Sequence, residues 1–259
     1  MKKAGINFQT LPKELRKLFI ADANYQFMQF DMSQIEARIV SCYLPDPKLY
    51  QFFESGKDVH SLVASEIFNV DVDSLTKASP ERAKAKACVH GANYGLNAPR
   101  FAVMTGLKLH EAKRVLSQYL DMFSIQEWWI KTVEELRINK RILTTVYGRR
   151  GHFYGTWTES KTSFDWLSQS TVLARAYAFK PQSINADFTK ERLVYIMKRV
   201  DLSKFIPLIN LHDEWICLVH DSIIPEVTAI IKEEVGKPIV INKRVLTVPC
   251  SIKITSKWE

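Results

Sequence analysis

Apolar positions along the chain fall into two rhythms. Tyr25, Phe27, Met28 and Phe30 make a short, nearly continuous apolar run of the kind a buried strand carries, and Ile35, Ile39, Val40 and Tyr43 then recur at near-helical spacing. Asp31 therefore falls at a strand-to-helix junction, with Glu36 about one helical turn further on. Late in the chain Ile206, Leu208, Ile209 and Leu211 give way to His212-Asp213-Glu214, after which Trp215, Ile216, Cys217, Leu218 and Val219 resume the apolar run. This pattern predicts a tight hairpin with Asp213 and Glu214 at its tip.

The long middle of the chain reads as helical. Leu62, Val63, Ile67 and Phe68 mark a helix that starts near His60, and Ser79-Pro80-Glu81 opens another, with Ser79 as N-cap and Pro80 in the first turn. From Thr105 to Lys140 the spacing predicts helices joined by a short turn. Val115, Leu116, Tyr119, Leu120 and Phe123 supply one core face, and Trp128, Ile130, Val133 and Leu136 another. Arg141 to Phe153 alternates as a hairpin bent at Tyr147-Gly148-Arg149-Arg150; residues 164–199 return to helix with a break near Pro181-Gln182-Ser183; Val245 to Glu259 reads as a last strand. Residues 5–18 read as an extended approach and a short basic turn without a core of their own.

Composition narrows the class. With 259 residues and 46% hydrophobic content the chain can bury one large core or two lobes. No run nears the ~20 apolar residues that span a bilayer, and the start Met1-Lys2-Lys3 lacks a signal-peptide core, so an intracellular, cytoplasmic setting is expected. Cys42, Cys88, Cys217 and Cys250 show no paired spacing, which argues against a zinc knuckle or a disulfide framework. A net charge of +8 leans toward a polyanionic partner. The basic residues recur in Arg82 to Lys86, Lys108 to Arg114, Arg137 to Arg141 and Gly148 to Gly151, as expected of a groove lined from several elements.

Three places carry candidate chemistry. Read alone, Asp31 makes an Asx turn and Ser33 with Glu36 a capping box, yet a carboxylate on rigid backbone at a strand end also suits a divalent-metal ligand. Asp213 and Glu214 read alone are an exposed turn, although adjacent acids repel each other unless cations neutralise them. Arg82, Lys86, His90 and Tyr94 recur at intervals of four and form one slowly drifting stripe. A solvated alanine-rich helix with incidental cations is one reading of that stripe. The other is a grip for polyphosphate, with His90 and Tyr94 offering planar faces to a base or sugar. His60 near a helix start is either a capping residue or a partner for an anion.

Asp31-Met32-Ser33-Gln34-Ile35-Glu36-Ala37-Arg38, Arg82 with Lys86 and Tyr94-Gly95, and His212-Asp213-Glu214, in this order, resemble the three signature motifs of family A (Pol I-type) DNA polymerases. Gly56 to His60, Gly148-Arg149-Arg150, Gln182 and Gln9 to Pro12 fall where that family carries similar residues, so the resemblance covers nearly the whole chain. It implies an α+β right-hand fold: an antiparallel palm sheet with an inserted helical fingers lobe and the thumb absent. Residues 1–40 and 170–259 would be palm, and residues 41–169 fingers. It also implies template-directed addition of deoxynucleotides to a primer 3′ end by two-metal phosphoryl transfer, with Asp31 and Asp213 as ligands of two Mg²⁺ ions (or Mn²⁺) and Glu214 assisting.

By the same resemblance, His60, Arg82 and Lys86 look like the triphosphate grip, with Lys86 also a proton donor to pyrophosphate. Glu36 looks like the steric gate against a ribose 2′-hydroxyl, and Gln34 lines the same pocket. Tyr94 would stack near the templating base, Gln182 and His212 would touch the minor groove and primer terminus, and Arg149 and Arg150 the template backbone. The sequence departs from the family in two respects. His90 stands where the family carries Phe or Tyr under the incoming sugar, and the chain begins about 30 residues before the first metal carboxylate. The reading is therefore of palm and fingers from a split gene, as in a bacteriophage, working on primer-template DNA and dNTP beside a separate chain that supplies thumb and exonuclease. A catalytically incomplete nucleic-acid-binding remnant and a single-subunit RNA polymerase-like enzyme are the alternatives.

Overall fold

The computed structural model describes residues 8–159, 167 and 170–258. In chain order the strands are β1 (Tyr25–Met32), β2 (Ile142–Thr144), β3 (Arg150–His152), β4 (Phe205–Leu211), β5 (Glu214–His220), β6 (Ile239–Ile241), β7 (Arg244–Leu246) and β8 (Cys250–Thr255). The helices are α1 (Lys13–Arg16), α2 (Ile35–Tyr43), α3 (Lys48–Glu54), α4 (Val59–Phe68), α5 (Pro80–Ala92), α6 (Ala98–Thr105), α7 (Leu109–Met122), α8 (Ile125–Ile138), α9 (Thr171–Met197) and α10 (Ile224–Gly236). The chain forms two compact units: Met1–Ile35 with Asn185–Val240 and Val245–Glu259, and Glu36–Ile184 with Ile241–Arg244.

The first unit is built on a four-stranded sheet in the order β4-β5-β1-β8. β1 is central and antiparallel to both neighbours; Phe27, Met28, Phe30 and Met32 are buried although they point to opposite faces, which is why its apolar run is nearly continuous. Phe27, Gln29 and Asp31 point to one face and Met28, Phe30 and Met32 to the other. On the first face Phe27, Leu211, Ile216 and Trp258 make a small core. Trp258 is held there by its own amide on the Phe19 carbonyl (3.0 Å), by an edge contact with Phe19 and by the Arg16 guanidinium 5.0 Å from its ring. On the other face the Trp215 indole donates to the Thr189 carbonyl of α9 at 3.2 Å. The β4–β5 register slips between Pro207 and Ile209, next to a residue that has no amide to give the ladder.

In the second unit α4, α5, α7 and α8 turn apolar faces onto one core. α5 contributes Ala85, Cys88, Val89 and Ala92, small enough for neighbouring helices to come close, and α8 contributes Trp128, Trp129, Val133 and Leu136. Trp129 stacks on Tyr177 with ring centres 5.1 Å apart. Its indole donates to the Asn93 carbonyl (3.0 Å), and the Tyr119 hydroxyl donates to the Asn93 side chain (2.8 Å). Buried aromatic side chains thus tie down the residue that closes α5.

Two expected boundaries move. The acidic hairpin turns on His212 and Asp213, with Glu214 already the first residue of β5. Pro181 does not break the helix that carries it, because α9 runs from Thr171 to Met197 through it. An interior proline removes one helical hydrogen bond and crowds the carbonyl four residues back, at a cost of about 3 kcal/mol. Leu173, Ala176 and Tyr177 before it and Ile184 and Phe188 after it are all buried, so packing on both sides offsets the defect. Ser79 stands at the N-cap of α5 as expected, but its hydroxyl accepts the Thr76 amide (2.9 Å) and caps no helical N–H.

Trp129→Ala removes a fully buried ring and leaves the Asn93 carbonyl without its indole donor. It is expected to destabilise the protein by about 3–5 kcal/mol, and Trp129→Phe by clearly less, as measured by urea unfolding followed by circular dichroism.

Candidate active site

The carboxylates are placed by strand register. In the antiparallel ladder Asp31 lies opposite Glu214 on one side and Ser251 on the other. The Met32 amide donates to the Asp213 carbonyl at 3.0 Å, and the Ser33 amide to the Pro249 carbonyl at 2.9 Å. The peptide that follows Asp31 is therefore clamped between the β4–β5 turn and the segment leading into β8. Two non-glycine residues beside the acids take left-handed backbone, Gln34 at φ 56° and His212 at φ 58°. His212 sits in the tight turn between β4 and β5, and Gln34 in the short turn between β1 and α2.

These acids crowd one another. Burial, then the negative charges of Asp31 and Asp213, push the Glu214 carboxyl above its ordinary range, and Arg16 and Lys253 only partly offset them. The donor set is oxygen alone, the kind that hard divalent cations prefer. Among the described residues no three His, Cys, Asp or Glu side chains form a metal-holding group by themselves. Mg²⁺ does not need one, since it is commonly held by one or two carboxylates together with substrate phosphate and water.

The cationic stripe lies on α5, whose opposite face is the buried one. Arg82 is partly buried, while Lys86 and His90 are exposed. Tyr94, expected on the same helix, lies two residues past its end: its amide donates to the Gly91 carbonyl, and Gly95, at φ 79°, turns the chain so that the Leu96 amide also reaches Gly91. A Cβ on Gly91 would come within 2.3 Å of the Leu96 side chain, so glycine there lets Leu96 pack closely over the last turn. A cavity of about 360 Å³ opens beside it, lined by Tyr94, Gly95, Asn97, Arg100, Ser170 and Thr171 among others.

His60 takes the second position of α4; the residue is 2% exposed, and its ring lies 5.5 Å from the His90 ring. Burial first, then the charge of His90, lowers its pKa to about 4. At neutral pH it is an uncharged imidazole. Its Nδ1 and the Gln34 Oε1 are buried polar atoms without a partner among the described residues. Such atoms are uncommon in folded proteins, and strain, a water, an ion or a catalytic role can each account for one.

Glu36 and Tyr94 are coupled, the Tyr94 hydroxyl donating to Glu36 Oε2 at 2.7 Å. Burial and the adjacent carboxylate push the Tyr94 phenol well above its ordinary range, so it stays a donor. That pairing was not legible in the sequence, and neither was the role of Asp58, whose carboxylate takes the Arg82 guanidinium at 2.5 Å. Asp58 has a visible local signal, an acid just before a helix, but nothing in the chain points from it to Arg82. Arg149 lies in the bend of the β2–β3 hairpin and Arg150 opens β3, both exposed. Gln182 is exposed on α9, and His212 is exposed in the acidic turn.

The family model for DNA polymerase family A matches residues 3–259. Thermostable DNA polymerase I of Thermus thermophilus is 27% identical over 238 residues, covering 89% of this chain and 28% of the relative. DNA polymerase I of Mycobacterium leprae is 28% identical over 244 residues, covering 89% of this chain and 26% of the relative. The chain thus spans little more than a quarter of these relatives. A solved structure described as the POL domain of Pol1 from M. smegmatis in complex with DNA primer-template and dNTP superposes with a TM-score of 0.81 at 26% identity, covering 97% of this chain and 44% of that one. Its mixed helices and antiparallel sheet are the architecture described above, and with a family model matched across almost every residue, the chain belongs to DNA polymerase family A.

Proposed function

We propose that this chain is the polymerase portion of a DNA-directed DNA polymerase, adding deoxynucleotides to a primer 3′ end under the direction of a template. In this reading the sheet unit is the palm and the helical unit the fingers. The observation that carries it is the crowding of Asp31, Asp213 and Glu214 at one end of β1, an arrangement that costs stability unless a cation is held there.

Asp31 and Asp213 would hold two Mg²⁺ ions. Divalent cations bound there activate the primer 3′-hydroxyl and neutralise charge on the departing pyrophosphate. Arg82, Lys86 and His60 bind the triphosphate, Lys86 as the exposed cation able to give pyrophosphate a proton and neutral His60 as a hydrogen-bonding group. Glu36, its carboxylate held by Tyr94, stands against a 2′-hydroxyl, and Gln34 is assigned to nucleotide binding as well. His90 packs under the sugar and Tyr94 beside the templating base. Arg149 and Arg150 meet the template backbone, Gln182 and His212 the minor groove and primer end. The similarity to a polymerase domain in complex with primer-template and dNTP supports these assignments. Grip on the duplex beyond these two units would come from a thumb, and proofreading from an exonuclease.

Asp213→Asn is expected to lower Mg²⁺-dependent primer extension by roughly 10²-fold or more; a variant as active as the parent would sink the metal assignment. Glu36→Ala is expected to bring kcat/KM for ribonucleotides toward that for deoxynucleotides by about 10-fold or more, and an unchanged ratio would remove the gate.

Because the Glu214 carboxyl is raised, the fold favours its neutral form, and stability falls as pH climbs from the ordinary carboxylate range through the raised value. Glu214→Gln is therefore expected to raise the thermal midpoint by a few degrees at about pH 7.5 and to leave it unchanged at about pH 4.

A further inference from the structure

One carboxylate reaches two elements of the nucleotide grip. Asp58 is the N-cap of α4, with extended backbone (φ −71°, ψ 106°). Its Oδ1 accepts the His60 amide at 3.3 Å, and its Oδ2 accepts both the Ser61 hydroxyl at 2.7 Å and the Arg82 Nε–H at 2.5 Å. The same side chain that starts the helix bearing His60 thus holds the guanidinium of α5, 24 residues later. Burial opposes ionisation of Asp58, but the hydrogen bonds from Arg82 and Ser61 and the Arg82 charge outweigh it and hold the carboxyl below its ordinary range.

The atom used on Arg82 matters. Nε is the inner N–H of the guanidinium, so anchoring it fixes the plane of the group and leaves both terminal amino groups for another acceptor. Neither has a protein partner among the described residues. A guanidinium fixed in this way presents a bidentate fork of the kind that matches phosphate oxygens. The Arg82 side chain is only 15% exposed, so its stem is already packed. His60 is neutral at physiological pH and adds no charge, and exposed Lys86 sits on a flexible stem. The fixed positive charge of the grip is therefore that of Arg82.

We propose that Asp58 is a positioning residue for the nucleotide triphosphate, orienting Arg82 through Nε before nucleotide arrives and so reducing the rotamer freedom lost on binding. This rests on the reading of Arg82 as a triphosphate ligand given above.

The test separates capping from anchoring. Serine caps a helix as well as aspartate does but is too short to reach Arg82, so Asp58→Ser keeps the first and removes the second. Steady-state primer extension with varied dNTP is measured for the parent, Asp58→Ser, Arg82→Ala and the double variant, with thermal melts alongside. The expected result is a KM for dNTP raised about 10-fold in Asp58→Ser with kcat within about 3-fold of the parent. Asp58→Asn, which keeps the cap and a neutral acceptor for Nε, should fall between. In the Arg82→Ala background Asp58→Ser should add less than about 2-fold, since there is no guanidinium left to orient.

If Arg82→Ala raises KM but Asp58→Ser does not, or if the two effects multiply, the proposal is overturned and the triphosphate reading survives. If Arg82→Ala itself leaves KM unchanged, both fall. Should Asp58→Ser melt far below the parent, Asp58→Asn decides: an unchanged KM in that folded variant overturns the proposal.

Discussion

The antiparallel register of β1 with β5 is the constraint on which the candidate site depends. Side chains directly opposite in such a ladder lie on the same face, a few ångströms apart, so pairing Asp31 with Glu214 forces like charges together. A slip of one residue would send Asp31 to the other face, among Met28, Phe30 and Met32. What holds the register is apolar: Phe27 opposite Leu218, Met28 opposite Cys217 and Phe30 opposite Trp215, most of them buried. Burial along the strand thus holds in place a repulsion at its end. The amide of Met32 on the Asp213 carbonyl does the remaining work, fixing the turn against the strand independently of any side chain.

The helical unit solves a similar problem with different means. The end of α5 must deliver Tyr94 to Glu36, yet helix ends fray and carry unpaired carbonyls. Here Asn93 is tied at its carbonyl by Trp129 and at its side chain by Tyr119, while Gly91 and Gly95 let Leu96 fold back over the last turn. The aromatic side chains of α7 and α8 are core residues, but through Asn93 they also set where Tyr94 begins.

Much of this was legible in the residues. Regular elements follow from periodicity, and β1, β5, α7 and α8 fall where the apolar spacing puts them. The acids stood out because Asp31 and Asp213 interrupt apolar runs, and the α5 cations because they repeat every four residues. Three things were hidden, each for its own reason. Pro181 reads locally as a helix break, whereas burial on both sides of it is a tertiary property. Tyr94 keeps the four-residue interval although the helix ends before it, since spacing does not register that the chain turns away at Gly95. The pairs Asp58–Arg82 and Tyr94–Glu36 join residues far apart in sequence, and charge patterning registers only neighbours along one element.

Gln34 and His212 hold left-handed backbone on either side of the acids, a conformation that costs an L side chain roughly 1–2 kcal/mol and glycine almost nothing. Substitution chosen for thermal robustness alone would write glycine at both turns. It would also erase the Gln34 amide and the His212 imidazole, which the proposed function assigns to the nucleotide pocket and the primer end. Under the proposed function, hardening the protein and keeping its chemistry pull in opposite directions at these two turns.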